Sequence, residues 1–169
     1  GAPYMPGDSG IDSDMVEGLD VVCRAIGYHA PRDRGTGHIR KGIGIAVGCK
    51  DGGGVNKPAS ARVKMTTTGD VILSCGTVEI GQGAHTALSL IVAETLALPV
   101  ERVRFAPIDT DSTPFDQGTN ASSGVAVMGR AVQRAAQALK AQVLAFAAEQ
   151  LRVPVGELRF DDGAIVHHD

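Results

Sequence analysis

The residues best suited to chemistry lie in Thr77-Val78-Glu79-Ile80-Gly81-Gln82-Gly83-Ala84-His85, where a strand pattern runs into Gly-Gln-Gly and a helix pattern begins at once. A helix start leaves N–H donors unpaired and carries a partial positive charge. Glycines let a ligand approach the backbone, so Gly81, Gln82 and Gly83 form a candidate seat for a phosphate or another anion. Gln82 offers an amide donor and a carbonyl acceptor from one side chain. A plain tight turn would explain the same glycines without a ligand. A second segment repeats the arrangement: Gly118-Thr119-Asn120-Ala121-Ser122-Ser123-Gly124 opens the longest helical pattern. One hydroxyl suffices as N-cap. Thr119, Asn120, Ser122 and Ser123 exceed that need, and two polar, glycine-lined helix starts in a small domain point to one extended anionic ligand.

Other candidates carry less. Asp109, Asp111 and Asp116 lack the spacing and closing Glu of a calcium loop and read as turn formers. Glu79 could act as a general base, but no partner acid or His stands near it in sequence, which favours a surface or structural role. His85 reads as a capping or packing residue, and His167 and His168 as frayed chain-end residues. Cys23, Cys49 and Cys75 form neither a C-x-x-C pair nor a Cys/His cluster, so no protein-ligated metal site, iron–sulfur site or disulfide framework is expected. No residue stands out as catalytic.

The elements that must position these residues are set by composition and periodicity. With 169 residues, 43% hydrophobic and 21% charged, the chain can bury a core and is not globally disordered. Aromatics are only 4%, so that core is aliphatic. The net charge of −3 gives no basic excess for duplex nucleic acid. Apolar runs fall short of the ~20 residues of a membrane span, and no signal-peptide pattern opens the chain, so a cytoplasmic setting is expected.

Residues 13–27 place Met15, Val16, Leu19, Val22, Cys23 and Ile26 on one helical face, with Ser13 as N-cap and Gly27 as stop. Residues 31–41 form a basic connector, solvated or in contact with an anion or partner. Three strands, 42–49, 60–67 and 71–80, are expected to form an antiparallel meander, interrupted by the glycine-rich loop 50–58. An apolar helix over 84–98, a strand over 103–108 and a polar loop over 109–118 follow. A helix over 122–151 turns Val125, Met128, Val132, Ala135, Ala136, Leu139, Val143, Phe146 and Ala147 inward and is ended by Pro154. A hairpin over 157–166 closes the chain. The expected class is α+β, an antiparallel or mixed sheet packed by two long helices. The division is an N-terminal helix and linker over 1–33 and a binding domain over 34–169.

At the two polar segments the chain resembles the molybdenum hydroxylases, the xanthine dehydrogenase and aldehyde oxidase family, in the molybdopterin-binding region of the large subunit. The resemblance rests on residues 76–85 (GTVEIGQGAH), 109–118 (DTDSTPFDQG) and 118–132 (GTNASSGVAVMGRAV), with support from 41–47 (KGIGIAV) and Ala93-Glu94. It runs from about Arg34 to Val166. It implies a domain of the molybdopterin-binding type. It places Gln82 against the phosphate or nucleotide part of the cofactor, with Gly81 and Gly83 giving access. Thr119, Asn120, Ala121, Ser122 and Ser123 would lie by the pterin and the molybdenum. Where many relatives have Ser-Arg before the long helix, this chain has Ser122-Ser123.

The resemblance further implies an oxidoreductase that hydroxylates a heterocycle or aldehyde with oxygen from water, using molybdopterin in its plain or cytosine dinucleotide form. The implied partners are the other large-subunit segments, iron–sulfur and flavin subunits or domains, and a small-molecule substrate. The family's glycine-phenylalanine-glycine and Gly-Glu-Pro segments do not occur in this sequence. The chain is therefore expected to be a large-subunit fragment, inactive by itself, self-associating through uncovered apolar surface, and without its own catalytic base. The alternative is a non-catalytic anion-binding or protein-assembly module of the same fold.

Overall fold

The computed structural model describes residues 14–48 and 57–167, which fall in two compact units, 1–51 and 52–169. The expected boundary after residue 33 is thus displaced. The basic connector stays with the first unit because it is tied there: Lys41 N donates to Arg34 O, and the Arg32 guanidinium donates to Gly27 O and Tyr28 O.

In the first unit α1 spans Met15–Ala25. Its cap is Asp14, whose carboxylate accepts from Val16 N and Glu17 N, both at 2.9 Å. The expected cap, Ser13, lies outside the described residues. No side chain of α1 is buried. The expected strand over 42–49 does not form over its described part, 42–48: no strand pairs with it among the described residues, and Ile43 and Val47 stay exposed. Alternating apolar residues make a strand only when a neighbour takes their backbone bonds. Cys49 and residues 50–56 of the glycine-rich loop lie outside the described residues.

The second unit is α+β. Strands β1 (Ala61–Met65) and β2 (Val71–Cys75) form an antiparallel hairpin across the Thr66–Asp70 turn. Helix α2 (Ala84–Leu96) then returns the chain so that β3 (Val103–Phe105) pairs parallel to β2. The sheet order is β1-β2-β3, so this sheet is mixed. The expected meander reduces to its hairpin. α3 spans Gly124–Leu151, and β4 (Leu158–Asp161) and β5 (Ala164–His167) form the closing hairpin.

β2 is the centre of the core. Val71, Leu73 and Cys75 point one way off the strand and pack against Leu88, Val92 and Leu96 of α2 and Met128 and Val132 of α3. Each such aliphatic side chain contributes about 1.5–3 kcal/mol by leaving water. Burial pushes the Cys75 thiol above its ordinary pKa, which makes it an inert core residue. The inward face expected for α3 holds at Met128, Val132 and Ala136 and fails toward the ends, where Val125 and Phe146 are exposed. At 1.5 Å per residue the 28-residue α3 is about 42 Å long and the 13-residue α2 about 20 Å, so α3 overhangs its support. It ends at Leu151, with Arg152 left-handed, ahead of Pro154. Among the described residues no helix is long and apolar enough to cross a membrane.

Candidate cofactor site

The two polar segments come together. Beyond Cys75 the β2 strand ends because its continuation is pinned sideways. Thr77, fully buried, donates from Oγ1 to Asp116 Oδ2 at 3.0 Å. Asp116 Oδ1 accepts from Gly118 N at 2.9 Å. One carboxylate thus ties Thr77, on the segment that leads into the Gly-Gln-Gly turn, to Gly118, which opens the second loop. The approach is close: a Cβ on Gly76 would lie 2.6 Å from the Asp116 Cβ, so only glycine fits there. Asp109 accepts from Asp111 N through its side chain and from Ser112 N and Thr113 N through its carbonyl, the turn role expected of it. Among the described residues no three His, Cys, Asp or Glu side chains gather as a metal site.

The start of α2 is occupied by the protein itself. Glu79 Oε1 accepts from Gly81 N and Gly83 N at 2.9 Å, and Oε2 accepts from His85 N at 3.2 Å. The turn needs φ of 95° at Gly81 and 73° at Gly83, a region in which side chains other than glycine are strained. These N–H groups, Gly83 foremost, then His85 and Gly81, hold the Glu79 carboxyl below its usual value. Gln82 closes the turn: Oε1 accepts from Ile80 N at 2.7 Å and Nε2 donates to Val78 O at 2.9 Å. That leaves its amide one N–H and one lone pair to offer. His85 packs, its ring stacked 3.8 Å from Phe105 and its Nε2 2.6 Å from Thr77 O.

The start of α3 is different. Ala121 and Ser122 both have left-handed backbone, φ 48° and 56°, which delays the helix to Gly124 rather than 122. No side chain caps it, and the N–H groups of Gly124, Val125 and Ala126 have no acceptor among the described residues. The Thr119 Oγ1 is buried without a hydrogen-bond partner. Ser123, buried, donates from Oγ to Asn120 O, and Lys57 Nζ sits 2.6 Å from Asn120 Oδ1 and 3.2 Å from Ser123 Oγ.

Between the two starts lies a cavity of about 450 Å³, lined by Ile80, Gln82 and Ala84 on one side and by 119–122 and 124–126 on the other. Of the residues nominated from sequence, Gln82, Thr119, Asn120, Ala121 and Ser122 line it. Gly81, Gly83 and Ser123 do not line it: the two glycines set the turn that carries Gln82, and Ser123 donates from Oγ to Asn120 O. Sequence reasoning missed Lys57, 63 residues from Asn120, and the filling of the α2 start by Glu79. The Glu79–Gly81–Gly83 spacing was a usable signal for the second; nothing local announced the first.

An anionic cofactor can be tested against this donor set. Unpartnered N–H groups, a buried hydroxyl without a partner and a nearby ammonium all favour an oxygen-rich anion. The residues present therefore fit a phosphate-bearing group at the α3 side of the cavity.

Comparison with known proteins shows the family. The molybdopterin cofactor-binding domain family matches residues 23–169. The xanthine dehydrogenase molybdenum-binding subunit of Escherichia coli O157:H7 is 39% identical over 136 residues, 77% of this chain and 18% of that protein. The carbon monoxide dehydrogenase large chain of Afipia carboxidovorans is 34% identical over 108 residues, 64% of this chain and 13% of that one. Among solved structures, quinoline 2-oxidoreductase from Pseudomonas putida 86 aligns with TM-score 0.57 and 26% identity, over 64% of this chain and 14% of that chain. The chain thus spans less than a fifth of the relatives named here. It belongs to the molybdopterin cofactor-binding domain family.

Proposed function

We propose that the 57–167 unit contributes two facing walls to the cofactor site of a molybdenum hydroxylase, and that the α3 start, rather than Gln82 as the resemblance implies, holds the phosphate-bearing end of molybdopterin. The observation that carries this is the open α3 start: free N–H groups of Gly124, Val125 and Ala126 beside the unpartnered Thr119 hydroxyl, on a cavity shared with Gln82. Two consecutive left-handed residues, Ala121 and Ser122, support it, since such strain costs about 1–3 kcal/mol each and collects at binding sites. Gly81, Gln82 and Gly83 form the opposite wall, with Gln82 presenting its remaining N–H and lone pair. Thr119, Asn120, Ala121, Ser122 and Ser123 form the near wall. Lys57 supplies positive charge behind Asn120. The bound cofactor supplies the two-electron oxidation chemistry; these residues bind it, orient it and exclude water from its anionic end.

In this reading the parent oxidises a heterocycle or aldehyde with water-derived oxygen in the cytoplasm, passing electrons to iron–sulfur and flavin partners. The cofactor is molybdopterin in its plain or cytosine dinucleotide form, and the exposed apolar residues of α1 favour self-association. Relatives are named for xanthine, carbon monoxide, nicotine and quinoline, so substrate choice belongs to other segments of the large subunit.

Thr119→Val tests the site. The variant keeps the shape and removes a hydroxyl that has no protein partner, so folding stability should hold or rise. In the molybdenum-loaded enzyme, loss of one hydrogen bond to a charged group, about 1.5–3 kcal/mol, should lower cofactor retention roughly ten- to hundredfold. Undiminished molybdenum content in a stably folded variant would remove Thr119 from the site.

A further inference from the structure

A second surface of the 57–167 unit opens along the outer strand of its sheet and meets the candidate cofactor site only at Lys57. β1 is the outer strand of its sheet. Its bonding pattern is fixed by the turn, where Thr66 N donates to Asp70 O at 2.8 Å, and the register continues with Lys64 opposite Ile72 and Arg62 opposite Ser74. Antiparallel neighbours alternate between bonded and unbonded pairs. The backbone N–H and C=O groups of Ala61, Val63 and Met65 therefore face away from β2, along an edge that no strand pairs among the described residues. Beside that edge a groove of about 560 Å³ runs between the chain at Lys57–Ala61 and α3, where Arg130 and Arg134 stand one turn apart. Arg62 and Lys64 are exposed on the strand itself. None of Arg62, Lys64, Arg130 and Arg134 has an ion-pair or hydrogen-bond partner among the described residues.

We propose that this edge docks an extended acidic peptide segment, which adds as a strand beside β1 and sets carboxylates at every second position against Arg130 and Arg134 on the helix side. Strand addition draws affinity from main-chain bonds and specificity from alternate side chains. The period of two in a strand turns every second side chain to one face, so alternating carboxylates all meet the side that carries Arg130 and Arg134. A second copy of this chain is disfavoured, because two such edges would oppose Arg62 and Lys64 to their own kind. A nucleic acid is disfavoured by the net charge of −3.

The test uses the isotope-labelled 169-residue chain and a capped seven-residue peptide alternating Glu with Val and Thr. Binding should saturate, perturb the Ala61, Val63 and Met65 amides, and weaken at least tenfold in an Arg130→Glu/Arg134→Glu variant. Both arginines are exposed, so the variant should keep its fold, checked by circular dichroism. A peptide of the same charge with alternate N-methylated residues should bind at least tenfold more weakly, because it cannot pair along the edge. No saturable binding, equal binding of the N-methylated peptide, equal binding by the charge-reversed variant, or tighter binding of single-stranded oligothymidine would each overturn the proposal.

Discussion

The two helix starts that face one another across the cavity solve the same electrostatic problem in opposite ways. At α2 the N–H groups of Gly81, Gly83 and His85 close on the Glu79 carboxylate, so a charge of the protein's own sits at the positive end of the helix, while Ala84 N and Thr86 N have no acceptor among the described residues. At α3 the first N–H groups have no acceptor, the capping position holds Ser123 turned toward Asn120 and Lys57, and a buried hydroxyl is left over. A filled start makes a rigid wall; an open one makes a binding site. The same composition, small polar residues between glycines, therefore does not by itself say which role a segment plays. What decides is whether a carboxylate stands two to six residues upstream of the donors it can reach.

The largest effect should come from cutting the tie between the two starts. Thr77→Val keeps the buried shape and leaves Asp116 without its Thr77 donor, at a cost of about 1.5–3 kcal/mol. A urea denaturation midpoint that does not move would show that the two loops hold their places independently.

Next comes converting the open start into a filled one. Ser123→Asp puts a carboxylate at the α3 cap, beside Lys57, and imitates Glu79. Pyrophosphate affinity should fall at least tenfold, about 1.4 kcal/mol, with helix content unchanged. Retained affinity would mean that the anion does not use the first turn of α3.

The smallest effect is a pH response confined to α2. The Glu79 carboxyl is held below its ordinary value in the folded state. Its contribution is therefore complete above the unfolded value of about 4.3 and is lost as the pH falls through the depressed folded value. Protection of the Gly81, Gly83 and His85 amides, taken relative to the intrinsic exchange rate at each pH, should fall in that acid window and hold steady above it, while Gly124 and Val125 show no such transition. A matching transition at both starts would erase the contrast.

Sequence alone made much of this legible where the information is local. The β1–β2 hairpin, the α2 and α3 bodies and the closing hairpin follow from apolar spacing and turn residues within a few positions. Both polar loops were recognisable from glycines beside hydroxyl and amide side chains. What stayed hidden depends on long-range placement. The parallel return of β3 onto β2 requires knowing how α2 crosses. The strand expected over 42–49 alternates as a strand should, yet its described part has no pairing partner among the described residues. Lys57 reaches Asn120 across 63 residues. The helix delay at α3 comes from left-handed Ala121 and Ser122, residue types with no marked preference for that conformation.

The central claim, that the anion end of the ligand belongs to the α3 start and not to the α2 start, is tested most directly by titrating pyrophosphate into the isotope-labelled chain and following backbone amides at both. Saturable shifts at Gly124, Val125 and Ala126, with Gly81, Gly83 and His85 unmoved, are the expected result. Saturable shifts at Gly81 and Gly83 with a silent α3 start would contradict it, and so would the absence of saturable shifts at either.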